Sequence, residues 1–483
     1  MAAPADVIFV DGEIHTLADP DRTAEALAAR DGRVVRVGDT YEIEFLEGIE
    51  TTRIDLDGHT AVPGFVDAHS HLLRIGLRRR RADLAGAADP DAALERLRAD
   101  ADRDREWILG FDLDLDPGLD ANSDETALSD ENRLRQADLD SVSADRPVAA
   151  FHSGMRTVVC NSVAVDRLPT DAESGPPGVY RWPESEGVWR AIAPPPSRTR
   201  DLIRAGADHA VSRGITTVHD DVRTAETARA YHDLAGEGDL PLRVRLDHHL
   251  SALEGDPIAA ADTLGISSGF GDDRLSLSGV RVDVDGSIVD GTAWLTDAGS
   301  GVTDPDALES LRERASAAGL RVRARASGDA AVDAVLDTLA DRPVIDHADL
   351  IRDEQIPALA DAGAVVVGWP DVLERAPPER RGQVGRYGRL RAAGIPLAIG
   401  SDGFRMDFLS ALEGLRTAGP DTRLSPTEAL RAMTWDGRSG GSPAGTLTVG
   451  APADLAVLSG SPWKRPASSI DVELTVVDGE VVR

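Results

Sequence analysis

Two histidines, His69 and His71, are separated by one residue at the end of an apolar run that follows Pro63 and Gly64. Because successive side chains of an extended strand point to opposite faces, these two imidazoles point to the same face. Neutral imidazole nitrogens on one face can reach a divalent metal ion at about 2.0–2.1 Å. The spacing therefore predicts a metal site, although a bare His-x-His pair is about as often two ordinary surface histidines.

Two further polar residues follow apolar runs in the second half of the chain. His347 ends the run that begins at Val344, and Asp402 follows the run 397–401. Catalytic side chains of a βα barrel lie at the carboxyl ends of its strands. A divalent metal ion polarises a carbonyl group and lowers the pKa of water, and a carboxylate beside it can accept the proton. Hydrolysis is the chemistry that these residues could carry out together.

The ten residues from Pro63 to Leu72, PGFVDAHSHL, resemble the first-strand signature of the amidohydrolase superfamily. The segments IDHADL at 345–350 and IGSDG at 399–403 resemble its sixth-strand and eighth-strand motifs. The order of the motifs resembles the type 3 branch of that superfamily, which includes N-substituted formamide deformylases. The resemblance covers nearly the whole chain.

The resemblance implies a role for each residue of these motifs. His69, His71 and Asp402 would be metal ligands, and Asp402 would also take a proton from the water that the metal ion activates. His347 would be a fourth ligand or an oxyanion contact, which makes Asp402 and His347 the catalytic candidates. The cofactor implied is one divalent metal ion, with zinc as the expected ion.

Two positions depart from the type 3 pattern, and they favour a single metal ion over a pair. Arg281 stands where the pattern has a lysine that bridges two metal ions once it is carboxylated, and Arg325 stands where the pattern has a histidine. A guanidinium group cannot be carboxylated in that way. One positive charge about 5 Å from a dication costs roughly 7 kcal/mol at an effective dielectric constant of 20, before compensation. A metal site therefore requires lumen aspartates that neutralise these arginines.

Strand alternation predicts which side chains face the lumen of the barrel. Arg281 would face inward together with the aspartates two and four positions after it, and Arg321, Arg323 and Arg325 would do the same from the next strand. The planar guanidinium group suits bidentate pairing with carboxylates. We predict that Arg281 and Arg325 bind a carboxylate, a phosphate or a developing oxyanion of the substrate.

Weaker candidates lie outside these motifs. His152 lies near a position at which many relatives carry a histidine, and Trp182 lies in an aromatic segment, 176–196, that we interpret as a lid-like loop. Both residues are predicted to bind substrate, with a packed loop residue as the alternative for each. The sequence leaves open the roles of three further histidines: His219, His248 and His249.

The fold predicted is α/β, a (β/α)8 TIM-type barrel with a small β-sandwich domain formed from both chain termini. Both termini carry strand-like runs with Asp-Gly turns, which predict hairpins. The domain boundaries predicted are 1–62 for the N-terminal part of the β-domain, 63–425 for the barrel and 426–483 for the C-terminal part. Eight strand-like runs alternate with helical patterns: 63–72, 215–218, 242–247, 280–285, 320–326, 344–345, 364–367 and 397–399.

The composition limits the class of partner. The chain carries 84 acidic and 52 basic residues, a formal net charge of −32, and Lys464 is its one lysine. Nucleic acid and anionic membrane surfaces would be repelled, so a small-molecule substrate is predicted, while a homo-oligomer stays open. An acidic chain almost without lysine is typical of a salt-adapted, halophilic cytoplasm, where charges are screened over about 3 Å at 1 M salt. Codon bias is the alternative explanation for the missing lysines.

Targeting and redox signals are absent from the sequence. Cys160 is the one cysteine, which excludes an internal disulfide and is typical of a buried structural thiol. The start of the chain has no basic segment followed by an apolar run, and no stretch of about 18 apolar residues occurs. We therefore expect a soluble protein of the cytoplasm.

The function predicted from the sequence is hydrolysis of a non-peptide carbon–nitrogen bond of a small molecule by metal-activated water. The substrate would be an amide, a formamide or a cyclic amide. The alternative is a metal-free or catalytically reduced barrel that binds a small anionic ligand through its lumen arginines.

Overall fold

The computed structural model describes residues 3–101, 106–113, 133–168, 176–250, 255–339, 342–435 and 445–483. The described chain divides into two compact units. The first comprises Met1–Leu72, Ala207–Asp285 and Trp294–Arg483, and the second comprises Leu73–Gly206 and Gly286–Ala293. The boundaries drawn from the sequence, 1–62, 63–425 and 426–483, stay a prediction.

The first unit contains a sheet of eight parallel strands that follow one another in chain order. All eight runs predicted from the sequence are strands of this sheet, so the predicted barrel is confirmed. Arginines and aspartates on these strands are buried, as alternation predicted for Arg281, Arg323 and Arg325. The strands are Phe65–Ser70, Ile215–Val222, Arg243–His249, Leu275–Asp283, Val322–Ala326, Val344–His347, Val365–Gly368 and Leu397–Ile399.

Residues just after the eighth strand bond to the first strand and so close the barrel. The backbone N–H of Asp402 donates to the carbonyl oxygen of His69 at 2.9 Å. Ser401 donates its N–H and its hydroxyl to the carboxylate of Asp67, at 2.8 and 2.6 Å. The closure of the sheet therefore places Asp402 beside the two histidines of the first strand.

Both termini contribute to the β-domain, as predicted. Phe9 and Leu27 from one sheet pack in a common buried core with Ile14 and Leu455 from the other, which makes the domain a sandwich. One sheet contains Val7–Val10, Ala26–Arg30, Arg33–Gly38 and Thr52–Asp55, and the other contains Glu13–His15, Thr23–Ala24, Thr60–Pro63, Leu455–Leu458, Val472–Val477 and Glu480–Val481.

One of the hairpins predicted for this domain is wrong. The strands on either side of Asp11 and Gly12 do not pair with each other, because the chain passes there from one sheet of the sandwich to the other. The Asp-Gly turns at 31–32 and 478–479 do close antiparallel hairpins, in which Arg30 pairs with Arg33 and Val477 with Glu480. An Asp-Gly pair fixes the tight turn but not the partner of the strand that follows it.

Arg243, at the start of the third barrel strand, joins the barrel to the β-domain. Its side chain is buried, and it donates to both carboxylate oxygens of Asp454 at 2.7 and 3.0 Å. It also contacts the carboxylate of Asp478, which accepts a hydrogen bond of 2.7 Å from Arg274. Bidentate arginine–carboxylate pairs are strong and directional, so this cluster fixes the β-domain against the barrel.

The helices of the described chain begin with Thr40–Glu44 in the β-domain, and most of the others alternate with the barrel strands. No helix among the residues described is both long and apolar enough to span a membrane. The remaining helices are Leu72–Arg78, Pro90–Ala101, Gln136–Asp140, Ser162–Val165, Ser185–Ala191, Pro196–Val211, Ala225–Gly236, Pro257–Leu264, Pro305–Ala317, Asp329–Thr338, Gln355–Asp361, Val372–Arg375, Tyr387–Ala392, Phe408–Thr417 and Pro426–Thr434.

The second unit contains a five-stranded sheet with its own buried core. The segment 176–196, predicted to be a loop, includes the strand Val179–Arg181 and the helix Ser185–Ala191. Burial raises the pKa of the Cys160 thiol, as fits a structural cysteine. The helix Pro90–Ala101 also belongs to this unit, and it packs Leu94 and Leu97 into the core.

Candidate metal centre

His69, His71 and Asp402 form the group of donor atoms that could hold a metal ion. One atom from each residue lies within 4.8 Å of the other two. The Nε2 atoms of His69 and His71 are each 3.2 Å from Oδ1 of Asp402. Two imidazole nitrogens and one carboxylate oxygen are a donor set that suits zinc and leaves a coordination position open.

Asp402 is ionised in this surrounding. Burial alone raises the pKa of its carboxyl group, but the hydrogen bonds with His69 and His71 outweigh burial and hold the pKa well below its ordinary value. Its backbone has a φ of +52°, in the left-handed region. The bond from its N–H to the His69 carbonyl accompanies this conformation and fixes the carboxylate next to the imidazoles.

His347 lies beside this group without being part of it. Its Nε2 is 3.7 Å from Oδ2 of Asp402, and its ring centroid is 5.6 Å from that of His69. Burial and the neighbouring charge of Arg325 lower the pKa of His347, so its imidazole is neutral near pH 7. The predicted role of His347 as ligand or oxyanion contact stays a prediction.

The guanidinium group of Arg281 lies against the ring of His69. Its Nη1 is 2.5 Å from Nε2 and 3.1 Å from Nδ1 of that ring. A group in line with the Nε2 lone pair would be much farther from Nδ1 than from Nε2, because that lone pair points outward in the ring plane, away from Nδ1. Arg281 therefore covers the face of the imidazole and leaves the lone-pair direction to a metal ion.

Buried aspartates outnumber the arginines around these histidines. Arg281 is within 4.0 Å of three carboxylates, and Arg323 donates to Asp346 at 2.6 Å and to Asp247 at 2.8 Å. Arg223 pairs with one of the same aspartates at 2.9 Å. Three arginines thus face four aspartates before Asp402 is counted, and a divalent cation would balance the excess negative charge. The four are Asp221, Asp247, Asp283 and Asp346.

The charges around His69 stabilise a positive charge at its ring. Burial and Arg281 lower the pKa of His69, yet Asp346 and Asp402 outweigh them, so the pKa lies above its ordinary value. Nδ1 of His69 is 3.3 Å from Asp346 and Nε2 faces Asp402. The surroundings of His69 favour positive charge, and the residues present therefore fit a bound cation.

The remaining predicted substrate-binding residues lie in different places. Arg325 is 1% exposed, and its Nη1 donates to the carbonyl oxygen of Asp285 at 3.3 Å. His152 and Trp182 belong to the second compact unit, where the guanidinium of Arg156 lies 5.0 Å from the Trp182 ring. Substrate binding by Arg281, Arg325, His152 and Trp182 stays a prediction.

One lumen residue was predicted wrongly. Arg321 is exposed, because the fifth strand begins one residue later, at Val322, and alternation does not extend beyond the strand. Of the three histidines left open, His219 is buried 2.9 Å from Arg323, and His249 is buried 3.2 Å from Asp283. His248 points the other way and is half-buried, as alternation requires of adjacent residues.

Sequence reasoning missed Trp369, which lies next to His347, and Phe404, which packs against Trp369. Trp369 follows the seventh strand, and its ring centroid is 5.7 Å from that of His347 and 5.1 Å from that of Phe404. The signal was available, because Trp369 is the first large side chain after a barrel strand, the position at which ligand contacts occur. These two rings form an apolar wall beside the candidate site.

Replacing Gly400 with alanine is expected to weaken both the fold and the metal site. A Cβ atom at this position would lie 2.6 Å from Cβ and 2.8 Å from the backbone nitrogen of His69, so the first and eighth strands would have to separate. Gly414, inside the helix Phe408–Thr417, has no atom within 4 Å of such a Cβ, and its alanine variant should be as stable as the wild type or slightly more so. Thermal unfolding of both variants checks this, and equal melting temperatures would contradict it.

Asp220 on the second barrel strand is expected to make stability depend on pH. Burial raises the pKa of its carboxyl group to about 7. The Leu72 N–H and the Tyr231 hydroxyl each donate a hydrogen bond of 2.6 Å to it, and these two bonds lower the pKa but do not outweigh burial. An unfolded aspartate titrates near pH 4, so the folded state holds a proton that the unfolded state releases, and stability falls as the pH rises from about 4 to 7.

The Asp220→Asn variant can still accept from the Leu72 N–H through its amide oxygen and can donate to the Tyr231 oxygen through its amide nitrogen. It should therefore lose less stability between pH 5 and 7 than the wild type does, by up to about 3 kcal/mol. Urea unfolding at several pH values measures this difference. The exposed Asp91, in the first turn of Pro90–Ala101, provides the control, because Asp91→Asn should follow the wild-type profile. Parallel profiles for Asp220→Asn and the wild type would contradict the expectation.

Comparison with known proteins agrees with this fold. N-substituted formamide deformylase of Arthrobacter pascens is 22% identical over 96% of this chain and 95% of its own length. A solved structure described as an uncharacterized metal-dependent hydrolase from Pyrococcus furiosus superposes with a TM-score of 0.77 at 24% identity, over 95% of this chain and 99% of that chain. Atrazine chlorohydrolase TrzN from Arthrobacter aurescens TC1, solved with zinc, gives a TM-score of 0.58 at 18% identity, over 99% of this chain and 95% of that chain.

The family model matches a longer stretch than any single motif does. The model described as Amidohydrolase family matches residues 52–483, which include the whole barrel sheet, the three donor residues and the C-terminal strands of the β-domain. The chain belongs to the amidohydrolase family.

Proposed function

We propose that this chain hydrolyses a carbon–nitrogen bond other than a peptide bond, in a small-molecule amide, formamide or cyclic amide, with one divalent metal ion as cofactor. Membership of the amidohydrolase family supports the class of reaction. The observation that carries the single-metal proposal is the convergence of His69, His71 and Asp402 within 4.8 Å. Zinc is the ion we propose, because two imidazoles and a carboxylate are typical zinc ligands.

A divalent ion held by these three residues would supply Lewis-acid polarisation of the substrate carbonyl and make water a better nucleophile at neutral pH. The two oxygens of Asp402 have different surroundings. Oδ1 faces both imidazoles at 3.2 Å, whereas Oδ2 is 3.7 Å from His347, beyond direct hydrogen-bond distance. We assign to Oδ2 the acceptance of the proton from attacking water, and its return to the leaving nitrogen.

Arg281 and Arg325 differ in what they can contribute to this reaction. Arg281, over the face of His69, is a fixed positive charge at the donor group, and we assign to it stabilisation of the negative charge that develops on the carbonyl oxygen. Arg325 lowers the pKa of His347 and so favours a neutral imidazole there. Either guanidinium could also bind an anionic group of the substrate.

A metal-free barrel that binds a small anion is the alternative, and the contact between Arg281 and His69 is the observation in its favour. The charge count opposes it, because Arg223, Arg281 and Arg323 are each paired with carboxylates and the carboxylates around them are in excess. An anion would have to displace one of these buried pairs, at a cost in free energy.

A panel of small amides tests the proposal. N-benzylformamide, N-acetylbenzylamine and a cyclic imide would be incubated with protein that has been depleted of metal by a chelator and then supplied with zinc. Release of the free amine or ring opening, dependent on zinc and absent in His71→Ala, is the expected result. Equal rates with and without metal, or no hydrolysis of any such compound by zinc-loaded protein, would contradict the proposal.

Two further expectations belong to this proposal. An acidic chain with one lysine is expected to work in the cytoplasm of a salt-adapted cell, and its large negative charge supports a small-molecule substrate over nucleic acid. Whether the chain forms a homo-oligomer stays an open question.

A further inference from the structure

Asp349 is a buried carboxylate that the proposed reaction does not use. It is 0% exposed, and its Oδ2 accepts a hydrogen bond of 2.6 Å from the hydroxyl of Ser327. Its Oδ1 has no hydrogen-bond partner among the described residues. Burying a carboxylate costs free energy unless a positive group or hydrogen-bond donors compensate its charge. We therefore expect a further donor as a partner next to the carboxylate of Asp349.

The ring of His347 is that partner. Nδ1 of His347 is 3.4 Å from Oδ2 of Asp349, and the other ring nitrogen, Nε2, is the one that faces Asp402. The separation is longer than an ideal N–H···O bond, as is common for catalytic groups in sites without ligands. Asp349 therefore lies behind the imidazole, on the side away from the donor group.

An unusual turn brings Asp349 to this place. His347 and Ala348 both have left-handed backbone conformations, with φ of +75° and +47°. Two backbone hydrogen bonds to the end of the fifth strand hold this turn. The Ala348 N–H donates to the carbonyl oxygen of Ala326 at 2.8 Å, and the Leu350 N–H donates to the carbonyl oxygen of Ser327 at 3.0 Å. Left-handed backbone is costly for residues other than glycine and persists where surrounding contacts enforce it, often at functional sites.

We propose that Asp349 is a positioning residue that keeps the proton of neutral His347 on Nδ1, so that the lone pair of Nε2 faces Asp402 and the substrate. Ser327 fixes the Asp349 carboxylate in the orientation that this requires. This inference deepens the proposed function, on which it rests, because it assigns the chemical state in which His347 would meet a metal ion or a substrate proton. A carboxylate behind an imidazole sets both its tautomer and its orientation.

Selective ¹⁵N labelling of histidine tests the proposal on metal-free protein, without any need for turnover. The two ring nitrogens of His347, identified by the loss of their signals in His347→Gln, should show Nδ1 protonated in the wild type. In Asp349→Leu the proton should move to Nε2, and in Asp349→Asn, whose neutral amide is a weaker acceptor, both tautomers should be populated. Asp371→Asn, just before the helix Val372–Arg375, is the control and should leave His347 unchanged.

Kinetics on any substrate found for the zinc-loaded protein provide a second measurement. Asp349→Asn should lower kcat by about tenfold to a hundredfold while KM changes little, as is typical when the partner of a ligand histidine is removed. A His347 that carries its proton on Nε2 in the wild type, or on Nδ1 in both Asp349 variants, would overturn the proposal. Because the spectra need no substrate, a protein that hydrolyses nothing would contradict the proposed function while leaving this result readable.

Discussion

Replacing Asp402 with asparagine is expected to lower kcat/KM by about a hundredfold to ten-thousandfold, the range that general acid–base catalysis supplies. The asparagine side chain has nearly the same shape but cannot accept a proton, and it removes a negative charge that faces His69 and His71 at 3.2 Å each. Affinity for zinc should fall in the same variant, because an amide oxygen is a poorer ligand than a carboxylate. Steady-state hydrolysis and a zinc titration measure the two effects.

Asp407 offers a matched control five residues away. Its side chain accepts a hydrogen bond of 3.1 Å from the Ser410 N–H at the start of the helix Phe408–Thr417, a role in which asparagine is equally suitable. Asp407→Asn should keep the activity and zinc affinity of the wild type. An Asp402→Asn enzyme with more than about a tenth of wild-type activity would show that Asp402 does not transfer the proton.

Replacing Arg323 with methionine is expected to destabilise the fold by about 3–5 kcal/mol, the cost of leaving buried charges without their partner. Arg323 is 5% exposed and donates to Asp247, to Asp346 and to the carbonyl oxygen of Ala68, at 2.8, 2.6 and 2.6 Å. Methionine fills much of the space but removes the closest positive partner of both Asp247 and Asp346. Chemical denaturation with urea measures the loss.

The half-buried Arg312, in the helix Pro305–Ala317, is the control for this substitution. It contacts two glutamates at 3.6 and 3.7 Å on a helix surface, and surface pairs of this kind contribute little. Arg312→Met should change stability by less than about 0.5 kcal/mol. Adding Asp247→Asn to Arg323→Met should restore part of the stability, because it removes one of the two buried charges that lost their guanidinium partner. A loss for Arg323→Met no larger than for Arg312→Met would mean that the lumen ion network does not stabilise the barrel.

The barrel was predictable from the sequence because each strand is a short run in which apolar residues recur, and a helical pattern separates most of these runs. All eight runs are strands, and the positions that matter most, His69, His71 and Asp402, come at or just after their ends. Local pattern is sufficient here, since the carboxyl ends of parallel strands meet at one edge of the sheet. The first and eighth strands then meet because the sheet closes, which brings Asp402 to His69.

Pairing and side-chain direction were harder to predict. The Asp11-Gly12 turn has the composition of a hairpin but carries the chain between two sheets, and the partner of a strand is decided by packing that a turn does not encode. The sequence also placed Arg281 near the metal site without indicating whether it would block it. Whether a long guanidinium side chain lies in the plane of an imidazole or over its face depends on the aspartates around it, and these come from several strands.

The number of metal ions bound by the folded chain tests the central claim most directly. Protein freed of metal by a chelator would be saturated with zinc, passed over a desalting column and analysed by inductively coupled plasma mass spectrometry, together with His71→Ala and Asp402→Asn. We predict one zinc ion per wild-type chain and a clear loss from both variants. No zinc in the wild type, two ions per chain, or one ion that both variants retain would contradict a single metal centre at His69, His71 and Asp402.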